Sequence, residues 1–166
     1  MISGKTTLIA HLGYPTESFK APLIYNPWFE KSGIDAVVVP MGVRAEDYAA
    51  FVGKLFRLSN LRGALVTMPH KVTTVRLLDE SSTAVKVAGS CNAVLLRDDG
   101  KIVGDMFDGA GFTRGLKRRK FTLRGASCLI VGTGGVGSAI AASLAAEGVA
   151  LTTRSKPCGS FDRTST

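Results

Sequence analysis

Cysteine is scarce in this chain: Cys91, Cys128 and Cys158 make an odd set with no Cys-x-x-Cys spacing. That excludes a disulfide framework and a zinc knuckle, and points to buried thiols in a reducing, cytoplasmic setting with no metal site. Long apolar runs are also missing. None approaches the roughly 20 residues needed to cross a bilayer, and the apolar part of "MISGKTTLIAHLG" is too short for a signal peptide, so no membrane partner is expected. Acidic residues are outnumbered, 13 against 21 basic ones, for a formal charge of +8. Part of the excess sits in "KRRKFTLR" (117–124), but aromatic interleaving is sparse and no nucleic-acid motif is present, so no nucleic-acid partner is expected. A solvated helix end, or a positive field that attracts an anionic cofactor, explains the run.

What is there is enough for a core: 166 residues, 45% of them hydrophobic, with mean hydropathy +0.19. That length suits one domain and part of another. "TLIAHL" (7–12) reads as a strand, and "PLIYNPWFEKSG" (22–33) as a helix with Pro22 in its first turn, Gly33 at its end and Pro27 as a blemish. "DAVVVPM" (35–41) is a β-branched run of the kind buried on both faces of a parallel sheet. Apolar residues recur at helical spacing from Glu46 to Leu58. "GALVTM" (63–68) is the next strand, and helical stretches follow in "KVTTVRLL" and "SSTAVKVAG". "CNAVLL" and "KIVGDMF" flank the turn signal "RDDG" and predict a hairpin; "DGAGFTRGLKRRK" predicts a helix. The alternation gives an α/β fold with a mostly parallel sheet.

Near Arg124 the composition changes. "ASCLIVGTGGVGSAIAASLAAEG" (126–148) predicts strand, glycine turn and alanine-rich helix, with "VALTTR" as a further strand. Gly132-Thr133-Gly134-Gly135-Val136-Gly137 fits Gly-x-Gly-x-x-Gly in the strand-to-helix context a dinucleotide needs. The first glycine allows the tight turn, the second a close approach of backbone to pyrophosphate, and the third helix packing on the strand. The helix N-terminus offers free N–H groups to phosphate. No ribose-binding acid stands about 20 residues on; Arg154 is there instead, suited to a 2′-phosphate. The cofactor expected is NADP or NAD. "GKTT" (4–7) lacks the first glycine of a phosphate-binding loop and is set aside.

Lys71 and Asp108 are types that serve an alcohol–carbonyl interconversion, in which a hydroxyl proton leaves as a hydride leaves its carbon. From spacing alone each is better explained as a solvated surface charge. The wider pattern decides. The chain carries Gly13-Tyr-Pro15, Pro22-Leu-Ile-Tyr25-Asn26, Leu65-Val-Thr67-Met-Pro69-His-Lys71, Gly89-Ser-Cys-Asn92-Ala93 and Gly104-Asp-Met106-Phe107-Asp108-Gly109-Ala-Gly111-Phe112. In order and spacing these resemble the shikimate/quinate dehydrogenase family, whose members share Gly-x-Pro, Pro-x-x-His-Asn, Asn-Val-Thr-x-Pro-x-Lys, Gly-Ala-Val-Asn-Thr and Gly-x-Asn-Thr-Asp-Gly-x-Gly-Phe.

The resemblance implies an N-terminal domain that binds a small ring carboxylic acid and a Rossmann domain that binds NADP or NAD, in aromatic amino acid biosynthesis. It implies Lys71 and Asp108 as the catalytic pair, with Thr67 and Asn92 bonding ring hydroxyls. It also exposes departures. The two serines that clasp the substrate carboxylate align with Phe19 and Ala21, leaving Ser18 and Lys20 beside them to bind it. The Asn before Val-Thr is Leu65, and the Asn-Thr before the aspartate is Met106-Phe107, which predicts a more apolar pocket. This pattern resembles the divergent shikimate-dehydrogenase-like branch of quinate or aminoshikimate-type chemistry. The expected organisation is a substrate-binding catalytic domain over 1–108, a connecting helix and linker over 109–124, an incomplete Rossmann domain over 125–154 and a disordered tail over 155–166. A homodimer is left open. The alternative is a truncated, inactive fragment, or a module that binds a small acid without catalysis.

Overall fold

The structure, a computed structural model, describes residues 2–154; the tail expected over 155–166, with Cys158, lies outside the described residues. Among the described residues there are fifteen short elements, eight of them strands that form two sheets, of six strands and of two. The first sheet is built from β1 (Thr7–Gly13), β2 (Ala36–Gly42), β3 (Leu61–Val66), β4 (Glu80–Ser81), β5 (Ala93–Leu96) and β6 (Ile102–Asp105), in spatial order β2-β1-β3-β5-β6-β4. β1 runs parallel to β2 and β3, and β4 parallel to β6, while the hairpin β5–β6 is antiparallel within itself and to β3. The mostly parallel α/β architecture expected from the sequence is therefore present.

Local chemistry explains the element ends. α1 (Ala21–Lys31) starts with Pro22 in its first turn, runs through Pro27, and is followed by Gly33 at φ +68°. The Asn26 side chain reaches the outer edge of β2, accepting from Val38 N–H at 2.7 Å and donating to Val38 C=O at 3.1 Å. That covers an edge that would otherwise leave backbone groups unpaired. β2 was expected to be buried on both faces; it is an edge strand in which only Val38 is fully buried, and an edge tolerates Pro40.

α2 (Tyr48–Leu55) is shorter than the periodicity from Glu46 to Leu58 suggested, and α3 (Lys71–Thr74) passes into a 3-10 turn at Val75–Leu77. α4 (Thr83–Ala88) is capped by the Ser82 hydroxyl and ends at Gly89, φ +62°. The two-residue strand β4 has no sequence signal, being too short for a period.

Leu12, Tyr48, Val52, Leu61, Val66 and Val85 are among the residues of the main core, where α2 and α4 pack on the sheet. Then come α5 (Asp108–Arg118), β7 (Ser127–Val131), α6 (Gly135–Ala146) and β8 (Ala150–Arg154), with β7 parallel to β8. Leu123, Ile130, Leu144 and Val149 form a second, smaller core. α6 bridges the two units: Ala139 belongs to the main core and Leu144 to the second. The approach is closest at Gly109, where an added Cβ would stand 2.2 Å from the Ala139 carbonyl oxygen.

Candidate functional site

β1, β2 and β3 end side by side at Gly13, Gly42 and Val66. Thr67 extends the pairing by one bond, its N–H donating to Leu12 C=O at 2.8 Å, and Tyr14 N–H donates to Met68 C=O at 3.0 Å. The chain then turns, and His70 anchors the turn. Its ring is buried, stacks on Tyr48 at 3.8 Å, and Nε2–H donates to Val43 C=O at 2.8 Å. Burial pushes the His70 pKa below its ordinary value and lifts the Tyr48 phenol to about 12, so both are neutral structural groups at neutral pH. Tyr48 Oη meets Thr74 Oγ1 at 2.7 Å, and that hydroxyl lies 2.8 Å from His70 C=O. This buried network fixes the direction in which α3 leaves the strand, and with it Lys71 as the first helical residue.

Lys71 Nζ forms an ion pair with Asp108 Oδ2. Asp108 opens α5, where a helix N-terminus favours a carboxylate, and its other oxygen accepts from Asn92 Nδ2 at 2.6 Å. Asn92 Oδ1 accepts from Phe107 N–H at 2.9 Å, and Cys91 N–H donates to Lys71 C=O at 2.9 Å. Three segments remote in sequence are thus tied at one point. The Lys71 and Asp108 side chains keep 13% and 23% of their accessible surface, enough to meet a small molecule but not to be fully solvated. Cys91 takes no part: burial raises its thiol to about 11, too high for a reactive thiolate.

The glycine turn faces this group. Gly132 sits at φ +97°, its N–H donating to Arg154 C=O at 2.9 Å. A Cβ on Gly137 would lie 2.1 Å from Gly132 O, and one on Gly135 2.7 Å from the Ser90 side chain, whereas one on Gly134 would meet only open space. Those are the requirements expected for tight turn, close packing and phosphate approach, so the residues present fit a dinucleotide. Thr133 and Val136 complete the turn, both exposed, and Ser138 Oγ binds Thr133 C=O at 3.0 Å. A cleft of about 290 Å³ joins this turn to Met68, Pro69 and Lys71.

Thr67 is half-buried just past the end of β3, while Ser18 and Lys20 are exposed on the loop before α1 and Arg154 is exposed at the end of β8. Met106 departs from expectation. Rather than making the substrate pocket apolar it is buried in the main core, lining a gap between α4 and α6; only Phe107 is exposed. Two residues went unnoticed in the sequence. Ser90, fully buried, donates its hydroxyl to Gly135 C=O at 2.9 Å and joins the glycine turn to the first unit. His11, on β1, is buried with Nδ1 lacking any partner among the described residues; a polar residue inside "TLIAHL" was the one available signal. Among the described residues no cluster of three or more His, Cys, Asp or Glu is placed to hold a metal ion, and no helix is long and apolar enough to cross a membrane.

Known proteins resemble this chain in sequence and in fold. Residues 12–94 match the model of the shikimate dehydrogenase substrate binding domain. A shikimate dehydrogenase (NADP(+)) of Pyrococcus furiosus is 39% identical over 145 residues, 87% of this chain and 52% of that protein. The crystal structure of shikimate dehydrogenase from Aquifex aeolicus superposes with TM-score 0.88 at 27% identity, covering 95% of this chain and 58% of the other. The Listeria monocytogenes shikimate 5-dehydrogenase, crystallised with shikimate and NAD, gives TM-score 0.82 at 32% identity, covering 92% and 53%. The chain spans about half the length of the curated relatives it matches.

Proposed function

The chain belongs to the shikimate dehydrogenase family, and from that premise we propose that it carries the substrate-binding and proton-transferring half of an NADP- or NAD-dependent oxidoreductase that interconverts a ring hydroxyl and a ring ketone. The observation that carries this reading is the Lys71–Asp108 pair at the strand ends, held by Asn92 and opening on the glycine turn.

Each residue has a role that follows from its chemistry. Lys71 Nζ handles the hydroxyl proton, giving it to the oxygen in reduction and taking it in oxidation. Asp108 orients Lys71 and accepts from a neighbouring substrate hydroxyl. Thr67 and Asn92 bond the ring hydroxyls. Gly132, Thr133, Gly134, Gly135, Val136 and Gly137 would hold the pyrophosphate, and Arg154, whose carbonyl is bonded to Gly132 N–H, would meet a 2′-phosphate and favour NADP. The dinucleotide, when bound, supplies the hydride chemistry that no side chain can. The small ring carboxylic acids that relatives are named for, and quinate beside them, are the reference substrates, with Ser18 and Lys20 as the groups that would receive a carboxylate.

Lys71→Met tests the reading. Turnover of a ring alcohol should fall by about two to four orders of magnitude, while the circular dichroism spectrum and ligand affinity change little. Unchanged turnover refutes the assignment, and a chain that binds the ring compound with no turnover even as wild type is the binding module instead.

A further inference from the structure

Ser90, Cys91 and Asn92 follow one another between α4 and β5, and each holds a different part of the site. The Ser90 hydroxyl donates to Gly135 C=O at 2.9 Å, Cys91 N–H donates to Lys71 C=O at 2.9 Å, and the Asn92 amide donates to Asp108 Oδ1 at 2.6 Å. The glycine turn, the lysine and the carboxylate therefore hang on three consecutive residues, whose Cα atoms stand about 3.8 Å apart along the chain. Gly89, at φ +62°, turns the chain out of α4 just before them, and Ala93 enters β5 just after. The tripeptide is held at both ends.

Of these bonds, the one from Ser90 joins the two units, across 45 residues. Ser90 is fully buried and its contact is close. A Cβ on Gly135 would stand 2.7 Å from Ser90 Cβ, 2.9 Å from its Oγ and 3.9 Å from Lys71 Cβ. Gly135 is the first residue of α6, directly after Gly134, so the bond acts on the backbone that would face a pyrophosphate. Packing alone resists compression; a hydrogen bond is directional and also resists rotation and separation. The family motif has alanine where Ser90 stands, so this donor is the chain's own.

Moving a hydride and a proton to one C–O group requires the nicotinamide and Lys71 Nζ to be set against that group together. We propose that Ser90 is a positioning residue: its bond to Gly135 sets where a bound dinucleotide presents its reactive ring relative to Lys71. The inference rests on the oxidoreductase reading for the chemistry it serves, while the placement itself requires no turnover.

Ser90→Ala removes the hydroxyl and keeps the packing. In steady-state oxidation of a ring alcohol, kcat should fall about tenfold while KM for alcohol and dinucleotide changes by less than about twofold. The primary deuterium isotope effect should rise, because hydride transfer then limits the rate more fully. A purely structural role would lower the urea midpoint and leave kcat and the isotope effect unmoved. A second measurement needs no reaction. NADPH and shikimate are both hydride donors and cannot react with each other. In their joint complex, an interligand Overhauser effect between the nicotinamide C4 hydrogens and the ring carbinol hydrogen should be seen in the wild type and weakened in Ser90→Ala. Should circular dichroism show that variant unfolded, Gly135→Ala, whose methyl would force the turn away from Ser90, should weaken the same signal. An equal signal in wild type and folded variant, or no signal in either, overturns the proposal. A wild type without turnover whose signal is still lost in the variant leaves the positioning standing and refutes the oxidoreductase reading. Turnover with kcat, isotope effect and signal all unchanged does the reverse.

Discussion

Asn92 donates to one oxygen of Asp108 at 2.6 Å while the other oxygen meets the Lys71 ammonium, so the carboxylate is held from both sides. Asn92 is itself fixed by Phe107 N–H at 2.9 Å. The amide thus sets the angle at which Asp108 faces Lys71.

Asn92→Ala should therefore free the carboxylate to rotate and leave Phe107 N–H without its partner. Lost positioning of this kind costs about 10²-fold in rate. We expect kcat to fall by about that factor with a smaller change in KM, measured by steady-state turnover of a ring alcohol. A loss confined to KM would mean that Asn92 serves only substrate binding.

Two glycines of one turn should respond oppositely to alanine. At Gly137 the new methyl would stand 2.1 Å from Gly132 O, and overpacking against backbone costs about 1–3 kcal/mol, visible as a lower urea midpoint. At Gly134 the methyl meets open space at φ −69°, so stability should hold. Cofactor affinity should still drop, by about tenfold, because the methyl occupies the space through which a phosphate reaches the backbone. Equal midpoints for both variants, or unchanged dinucleotide binding in Gly134→Ala, would contradict the fit.

Stability should fall on the acid side of neutrality. His11 and His70 are both held below their ordinary pKa by burial, so near pH 6 the unfolded chain binds more protons than the folded one. Their contribution is complete above the unfolded value of about 6.5 and is lost as pH drops below it, by up to about 1.4 kcal/mol per pH unit for each histidine. Urea unfolding at pH 7.5 and pH 5.5 measures this. His11→Val should reduce the slope and, by removing an unpartnered buried nitrogen, should not lower stability at pH 7.5. A pH-independent midpoint would exclude buried neutral histidines.

Much of this protein was open to reading from its residues. The periods of "TLIAHL" and "GALVTM" show strands because alternation and β-branching are local properties, and the hairpin around "RDDG" is a local turn signal. The five spaced motifs singled out Lys71, Asn92 and Asp108, which the fold brings into one hydrogen-bonded group. What stayed hidden were relations between segments. Met106 stands where the family motif has the Asn of Asn-Thr-Asp, which implies a place in the pocket, yet it turns into the core against α6; a motif position does not tell on which side of a strand end a different side chain lies. Ser90 and His11 gave little or no signal because their partners are Gly135, 45 residues away, and a phenyl ring on another loop.

The sequence by itself determined which chemistry is available, a lysine, a carboxylate, two hydrogen-bonding side chains and a glycine turn, because those functions reside in residue types. Only the tertiary structure decided that Asn92 aligns Asp108 with Lys71, that the glycine turn opens on the same cleft, and that Ser90 bonds the first residue of α6. Those are distances of a few ångströms between remote segments, and they exist only once the sheet has set its register and α6 has packed across both cores.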